Sequence, residues 1–179
     1  MGMSSLEWSQ YLHERLGVDR APEHIVDEVA AQMAAELRRS LPLVSGAVEV
    51  VHELARRWPL GLASSSNRAL IDLVLEQAHL QQHFDATVSS EEVDRGKPAP
   101  DVYLEAARRL DVDHQACVVV EDSENGILAG LAAGMHVVAI PNRDFPPDPQ
   151  VLERAHVVLD SLRQLGPSVV EKAAARTPT

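Results

Sequence analysis

The chain has 179 residues, of which 45% are hydrophobic and only 3% aromatic, and its net charge is −11. This length suits one domain of ordinary size, or a core with a small appendage. The acidic balance, without any run of basic residues, argues against nucleic acid or an acidic membrane surface as a partner. No apolar run approaches the ~18 residues of a transmembrane helix, and no secretory signal is present. We therefore expect a cytoplasmic protein.

The first part of the chain predicts helices alone. Apolar residues recur at helical spacing over residues 4–17 and again over 22–38, where Pro22 stands near the helix start. The stretch LPLVSGA breaks the pattern, and residues 46–57 predict a third amphipathic helix. We interpret residues 1–43 as a partial helical cap and residues 44–165 as the main domain.

From residue 60 onward, short apolar strands alternate with helices. The predicted strands are 60–64, 85–90, 117–120, 136–140 and 156–160, and the predicted helices between them are 68–79, 100–110 and 124–133. This alternation predicts an α/β fold, with a parallel sheet covered by helices on both faces. Residues 166–179 are polar and contain proline, so we predict a frayed tail.

Polar side chains follow the first two predicted strands, where ligands bind in open parallel sheets. Ser64, Ser65, Ser66 and Asn67 come directly after the first strand and open a helix, and Lys97 lies in the loop after the second strand. Hydroxyls and backbone N–H groups at a helix N-terminus bind phosphate, and a lysine ammonium neutralises it as a compact point charge. These five residues are therefore candidates for a phosphate site.

The third predicted strand runs straight into two acids, in the stretch VVVEDSENGI. Carboxylates at a strand end can hold a hard cation such as Mg²⁺, which takes few protein ligands and keeps several waters. Glu121 and Asp122 are the candidate metal ligands, and Ser123 and Asn125 are candidates for supporting them.

Each of these features has an ordinary structural explanation when taken alone. A Ser-Ser-Ser-Asn stretch can simply cap a helix, a lone lysine is usually solvated, and two acids can open a turn before the next helix. All three occur in this chain, each directly after a strand or in the loop that follows one. That combination favours one shared site.

The stretches LASSSN, RGKPAPDVY and CVVVEDSENGILAGLAAGM resemble the second, third and fourth motifs of the haloacid dehalogenase-like superfamily. The resemblance is closest to its phosphoglycolate phosphatase and β-phosphoglucomutase subgroup and covers roughly residues 1–165. It implies a Rossmann-like three-layer core with a helical cap, and a Mg²⁺-dependent phosphatase acting on a small phosphorylated metabolite. It also implies that Ser64 binds the phosphate, that Lys97 stabilises the phosphoryl group, and that Glu121 and Asp122 hold Mg²⁺.

The chain departs from that family in its first motif, an Asp-x-Asp pair that ends a first, central strand and supplies the nucleophile and the general acid/base. The only Asp-x-Asp in this sequence is Asp111 and Asp113, which follow a predicted helix rather than a strand. We therefore expect the central strand to be missing from this chain, either because the sequence is a fragment or has a misassigned start, or because it is a true short form that has lost catalysis. Strands 60–64 and 117–120 should then flank a gap or pair directly. The gap would also permit self-association.

Three alternatives to a phosphatase stay open. The chain could be an inactive short form that binds phosphate or a partner, or the family member could be a phosphomutase of sugar phosphates. A dehalogenase shares the fold, but Glu121 and Asp122 imply a metal that dehalogenases of this superfamily do not use. In the cap, Ser5 and Trp8 are the residues that we expect to face a substrate.

Overall fold

The computed structural model describes residues 5–176, apart from the side chain of Leu6. The helices in this part of the chain are α1 (Ser5–Leu16), α2 (Pro22–Arg39), α3 (Ala47–Leu54), α4 (Arg68–Gln77), α5 (Asp101–Leu110), α6 (Glu124–Ala132), α7 (Pro149–Leu152) and α8 (Pro167–Ala174). Helix α1 packs against α2, and α2 packs against α4, so the two cap helices rest on the main domain through α2.

Five short parallel strands form two separate sheets. They are β1 (Gly61–Ser64), β2 (Ala86–Ser89), β3 (Val118–Glu121), β4 (His136–Ala139) and β5 (Val157–Val158). The first sheet pairs β1 with β2, and the second has the order β3-β4-β5. All three pairings are parallel, with Gly61 opposite Ala86 and Val118 opposite His136. The carboxyl ends of paired strands therefore lie at the same edge of each sheet.

Helices cover both faces of the strands, as the alternation of apolar residues requires. On one face, α5 and α6 pack in a single core cluster that contains Val88 of β2, Val119 of β3 and Val137 of β4. On the other face, Val138 packs with residues of α3 and α8. This arrangement confirms the predicted three-layer α/β fold, and the shared cluster joins the two sheets into one core.

The two sheets are not joined by hydrogen bonds between strands. Within residues 5–176, no ladder connects β1 to β3. Direct pairing of these two strands, one of the two expected outcomes, is therefore wrong for this structure. The other outcome, a gap between β1 and β3, agrees with the two separate sheets, and self-association through it stays a prediction.

The expected frayed tail is wrong over most of its length. Helix α8 begins at Pro167 and ends at Ala174, and Ala173 is fully buried against the face of the sheet that carries Val138. The stretch was misjudged because its few apolar residues, Val169, Val170 and Ala173, recur at helical spacing on one face. The predicted helix start at residue 4 and the last tail residues, 177–179, lie outside the described residues.

Candidate functional site

A cavity of about 900 Å³ lies between the cap helices and the carboxyl ends of the strands. Its floor is formed by residues that follow β1 and β3, together with Lys97, and its opposite wall comes from α1 and α2. Ser5 and Trp8 are among the lining residues, and their predicted contact with a substrate stays a prediction. The predicted polar residues, except Asn125, therefore line one cavity at the carboxyl ends of the strands.

The loop after β1 is held in place by its own hydrogen bonds and by two buried serines. The Ser66 N–H donates to Ser64 Oγ at 3.1 Å, which folds the loop into a tight turn. Ser89 Oγ donates to the Ser66 carbonyl at 2.7 Å, and Ser90 Oγ donates to the Ser65 carbonyl at 3.0 Å. With their carbonyls bound on the far side, these residues present a fixed backbone to the cavity.

Asn67 acts as the N-cap of α4. Its side chain accepts a hydrogen bond from the Leu70 N–H at 3.0 Å, which satisfies one of the free donors in the first turn of the helix. Asn67 also lines the cavity, so the capped N-terminus of α4 faces the candidate phosphate site. The capping role and the phosphate role are therefore compatible at this residue.

Lys97 lies at the carboxyl ends of both sheets. It is only 7% exposed, and its Nζ donates to the Ala63 carbonyl of β1 at 3.2 Å and to Glu121 Oε1 of β3 at 2.5 Å. The ammonium also lies 4.7 Å from the centre of the Tyr103 ring. Lys97 therefore bridges two strands that do not pair with each other, and it places a positive charge on the cavity floor.

Both carboxylate oxygens of Glu121 are occupied by protein donors. Oε1 accepts from Lys97 and from the Tyr103 hydroxyl, each at 2.5 Å, while Oε2 accepts from the N–H of Asp122 and from both the N–H and the hydroxyl of Ser123. Burial alone would raise the pKa of Glu121, but the Lys97 charge and these hydrogen bonds outweigh it and lower the pKa. Glu121 is therefore an ionised, buried partner of Lys97.

The donor set fits Mg²⁺ only in part. Asp122 lines the cavity and is exposed, and within residues 5–176 its carboxylate has no hydrogen-bond donor or ion-pair partner, so it is available to a cation. The oxygens of Glu121 have about four lone-pair sites and already accept five hydrogen bonds. In the described part of the chain, no three His, Cys, Asp or Glu side chains group closely enough to hold a metal ion.

The two residues predicted to support the acids have different positions. Ser123 is the N-cap of α6: its hydroxyl accepts from the Gly126 N–H and donates to Glu121 Oε2 at 3.0 Å. Asn125 lies in the first turn of α6 and is not among the residues that line the cavity. The contacts therefore tie Ser123 to Glu121, whereas a supporting role for Asn125 stays a prediction.

The cap wall of the cavity is largely apolar. It includes Val26, Val29, Ala30 and Met33 of α2, and Val29 and Met33 remain more than a third exposed. The charged and hydroxyl groups lie on the opposite side, at the strand ends. A ligand in this cavity would place an anionic group on the floor and its remaining part against α2.

Sequence reasoning missed three kinds of residue in this site. Ser89 is the last residue of β2 and Ser90 follows it, so the strand-end rule could have found them. Tyr103 belongs to the quoted stretch RGKPAPDVY, but nothing in its spacing indicates that its hydroxyl meets Glu121. Arg143 lines the cavity from the loop after β4, where the sequence analysis assigned no candidate residue.

The Asp-x-Asp pair lies in a connecting loop, as predicted. Asp111 ends α5 with a left-handed backbone, φ 55°, and Asp113 caps the short 3₁₀ turn His114–Ala116 that leads into β3. Both residues therefore precede β3, whereas the cavity lies at its carboxyl end. Neither lines the cavity.

Comparison with known proteins places this site in a family. A family model described as haloacid dehalogenase-like hydrolase matches residues 1–134. The chain is 36% identical to hexitol phosphatase B of Escherichia coli (strain K12) over 144 residues, 80% of this chain and 64% of that protein. It is 34% identical to validoxylamine A 7'-phosphate phosphatase of Streptomyces hygroscopicus subsp. limoneus over 157 residues, 81% of this chain and 71% of that protein.

Solved structures show the same fold at lower identity. β-Phosphoglucomutase from Clostridium difficile superposes with a TM-score of 0.81 at 23% identity, over 97% of this chain and 78% of that chain. CbbY from Rhodobacter sphaeroides, solved in complex with phosphate, gives a TM-score of 0.83 at 22% identity, over 94% of this chain and 77% of that chain. The chain spans less than two thirds of the length of hexitol phosphatase B. With the family model matching well over half of it, the chain belongs to the haloacid dehalogenase-like hydrolases.

Proposed function

We propose that this chain forms the phosphate-binding core of a Mg²⁺-dependent phosphatase that acts on a small phosphorylated sugar or a related metabolite. The single observation that carries the proposal is the position of the Lys97 ammonium between the carboxyl ends of β1 and β3, beside the Ser64–Ser66 loop. The phosphatases among the relatives, which include hexitol phosphatase B and fructose-1-phosphate phosphatase YqaB, support the substrate class.

In this proposal, the chain's own residues bind and orient the phosphate monoester. Ser64 and the backbone of Ser65 and Ser66 lie next to the phosphoryl oxygens at the N-terminus of α4, where the helix dipole favours an anion. Lys97 neutralises part of the charge that builds on the phosphoryl group during transfer. The apolar α2 wall receives the alcohol part of the substrate and excludes water.

The cation is proposed to bind at Asp122. Mg²⁺ at this position would neutralise negative charge on the phosphoryl oxygens. Glu121 is the second proposed ligand, although its oxygens are engaged with protein donors, and a complete set of ligands needs groups beyond this pair. We therefore expect weak affinity for Mg²⁺ in the chain alone, millimolar or poorer, or ~4 kcal/mol of binding free energy at most.

The nucleophile is proposed to be a further aspartate, at the end of a strand between β1 and β3, because β1 ends in Ser64 and Asp122, which follows β3, is assigned to the cation. A strand inserted between β1 and β3 would deliver its last residue beside Lys97 and Asp122. Without that residue the covalent route loses its first step, and the chain alone should not turn over substrate. A phosphate-binding form without catalysis is the second candidate function, and the same missing aspartate favours it.

Phosphate binding and turnover test the proposal together. Calorimetry should detect binding of inorganic phosphate, and Lys97→Ala should weaken it roughly tenfold or more, since a charge-assisted hydrogen bond is worth about 1.5–3 kcal/mol. The matched control is Lys172→Ala on the exposed face of α8, which should leave binding unchanged. With an aryl phosphate and Mg²⁺, the chain should show no turnover above the Lys97→Ala background.

Two results would contradict the proposal. Failure of the unmodified chain to bind phosphate would remove the site, and turnover that Lys97→Ala abolishes would show that no aspartate is missing. A third measurement uses a longer protein in which the central strand and its aspartate are added to this chain. If its affinity for phosphate is the same with and without Mg²⁺, the non-catalytic candidate is favoured.

A further inference from the structure

The hydroxyl of Tyr103 meets the same carboxylate oxygen that binds Lys97. Tyr103 lies on α5, is only 7% exposed, and donates its O–H to Glu121 Oε1 at 2.5 Å. Lys97 Nζ donates to that same oxygen. Two donors from different elements, one neutral and one charged, therefore converge on one atom at the end of β3.

The position of the Lys97 ammonium depends on that oxygen. An ammonium has three N–H donors, and two of these go to Ala63 O and to Glu121 Oε1. The third has no hydrogen-bond acceptor among residues 5–176, and because Lys97 lines the cavity we assign this donor to a ligand on the cavity floor. Because the lysine stem is flexible, with four rotatable carbons, these two acceptors decide where the third donor lies.

Glu121 in turn is fixed at both ends of its carboxylate. Ser123 and the Asp122 N–H hold Oε2 at the start of α6, while Tyr103 and Lys97 hold Oε1. The space behind the carboxylate is closed, since a Cβ on Gly126 would lie 1.9 Å from Glu121 Cδ. If the Tyr103 hydroxyl is removed, Glu121 Oε1 loses its neutral donor. The carboxylate is then less firmly held, and the position of the Lys97 ammonium that binds it changes.

Burial and the adjacent Glu121 carboxylate raise the pKa of the Tyr103 phenol well above its usual value. The phenol therefore stays protonated and acts as a donor. A buried hydrogen bond to a charged acceptor is among the stronger ones in proteins, so its loss changes local geometry as well as energy.

We propose that Tyr103 is a positioning residue that acts through Glu121: its hydroxyl holds the carboxylate so that the Lys97 ammonium stays between β1 and β3, with one donor left for the phosphate group. The role of the free donor in phosphate binding rests on the proposed function. The contacts among Tyr103, Glu121 and Lys97 do not, because they are present in the ligand-free chain. A simpler role, in which the Tyr103 ring only fills the core, would leave Lys97 unaffected when the hydroxyl alone is removed.

The lysine content of the chain makes a direct measurement possible. Its only two lysines are Lys97, which is buried at the cavity floor, and Lys172, which is exposed on α8. Brief acetylation of the folded protein followed by digestion and mass spectrometry gives the ratio of Lys97 to Lys172 labelling, with Lys172 as the internal reference. In the unmodified chain this ratio should be far below one.

Tyr103→Phe removes the hydroxyl and keeps the ring against Lys97. We expect the labelling ratio to rise roughly tenfold, the factor that corresponds to about 1.4 kcal/mol of lost hydrogen-bond energy. Tyr11→Phe is the matched control, because Tyr11 is the only other tyrosine and lies half-exposed on α1. Leu75→Ala, in a separate cluster on α4, controls for loss of stability without a change at Glu121.

The inference is overturned if Tyr103→Phe labels Lys97 at the unmodified rate, or if Leu75→Ala raises the ratio as much as Tyr103→Phe does. A separate arm tests the proposed function: inorganic phosphate should protect Lys97, but not Lys172, in the unmodified chain. Absence of protection there, with a raised ratio in Tyr103→Phe, would contradict the phosphate site while leaving the positioning role of Tyr103 intact.

Discussion

At the scale of single residues, the site depends on close packing around one carboxylate. Glu121 is nearly buried and has five donors, and the first turn of α6 passes so close that only a glycine fits beside it. Glycine is therefore needed at position 126 because the Glu121 carboxylate leaves no room for a side chain. The backbone of Gly126 is helical and would accept other residues. A glycine inside a helix otherwise costs about 1 kcal/mol relative to alanine.

Gly126→Ala should accordingly destabilise the protein despite the better helix propensity of alanine. The new methyl group would clash with the Glu121 carboxylate, and overpacking of this kind costs about 1–3 kcal/mol. Thermal unfolding should show a melting temperature several degrees lower, at roughly 2–4 °C per kcal/mol for a chain of this size. Gly166→Ala is the control, since no atom lies within 4 Å of its added Cβ. An unchanged or raised melting temperature for Gly126→Ala would contradict the packing.

At the scale of elements, the strands differ in whether the backbone N–H and C=O groups along their edges have hydrogen-bond partners. Strand β4 pairs on both sides, whereas within residues 5–176 β1 and β3 each pair on one side only. On β2, guanidinium groups of Arg68 and Arg109 donate to the Thr87 carbonyl, which covers part of its outer edge. Covered edges resist addition of another strand, so the facing edges of β1 and β3 are where a further strand would pair.

Hydrogen exchange should reveal this difference. Amides of β4 should exchange slowest, and the amides of β1 and β3 that point away from their single partners should exchange at least about tenfold faster, the factor for 1.4 kcal/mol less opening free energy. The covered edge of β2 is the internal comparison. If β1 and β3 are as well protected as β4, the gap between them is closed in solution.

At the scale of the whole molecule, one cluster joins the two sheets. Ile127 of α6 is fully buried in the cluster that also contains Val88 of the first sheet and Val137 of the second. The ion pair of Lys97 and Glu121 bridges the same two sheets at their carboxyl ends. Unfolding should therefore be a single cooperative transition, although no ladder joins the sheets.

Ile127→Ala tests that cooperativity. Removing a buried isoleucine side chain costs about 2–5 kcal/mol, so the denaturant midpoint should fall substantially. In a Trp8→Phe background, fluorescence of Trp58, which packs on the opposite face of the second sheet, should shift together with far-UV circular dichroism. Leu16→Ala at an exposed position on α1 should change neither signal. Separate transitions for the two signals would mean that the sheets unfold independently.

Within residues 5–176, none of the helices combines the length and the apolar character needed to cross a bilayer.

The sequence by itself determined the order and type of the elements from α1 to β4 and the location of the site. Alternating apolar strands and amphipathic helices predicted the α/β fold, because burial on both faces of a parallel sheet requires that pattern. The rule that ligands bind at carboxyl ends of strands then selected Ser64, Lys97, Glu121 and Asp122, all of which line one cavity. Their roles in catalysis and metal binding remain proposals.

Only the tertiary structure decided which hydrogen bonds those residues make. Nothing in the spacing of Lys97, Tyr103 and Glu121 indicates that two donors meet one oxygen, since the three come from a loop, a helix and a strand separated by up to 24 positions. The helix at Pro167–Ala174 was likewise missed, because its burial depends on the sheet face that it covers. Long-range contacts of this kind are set by packing across elements, which local periodicity does not encode.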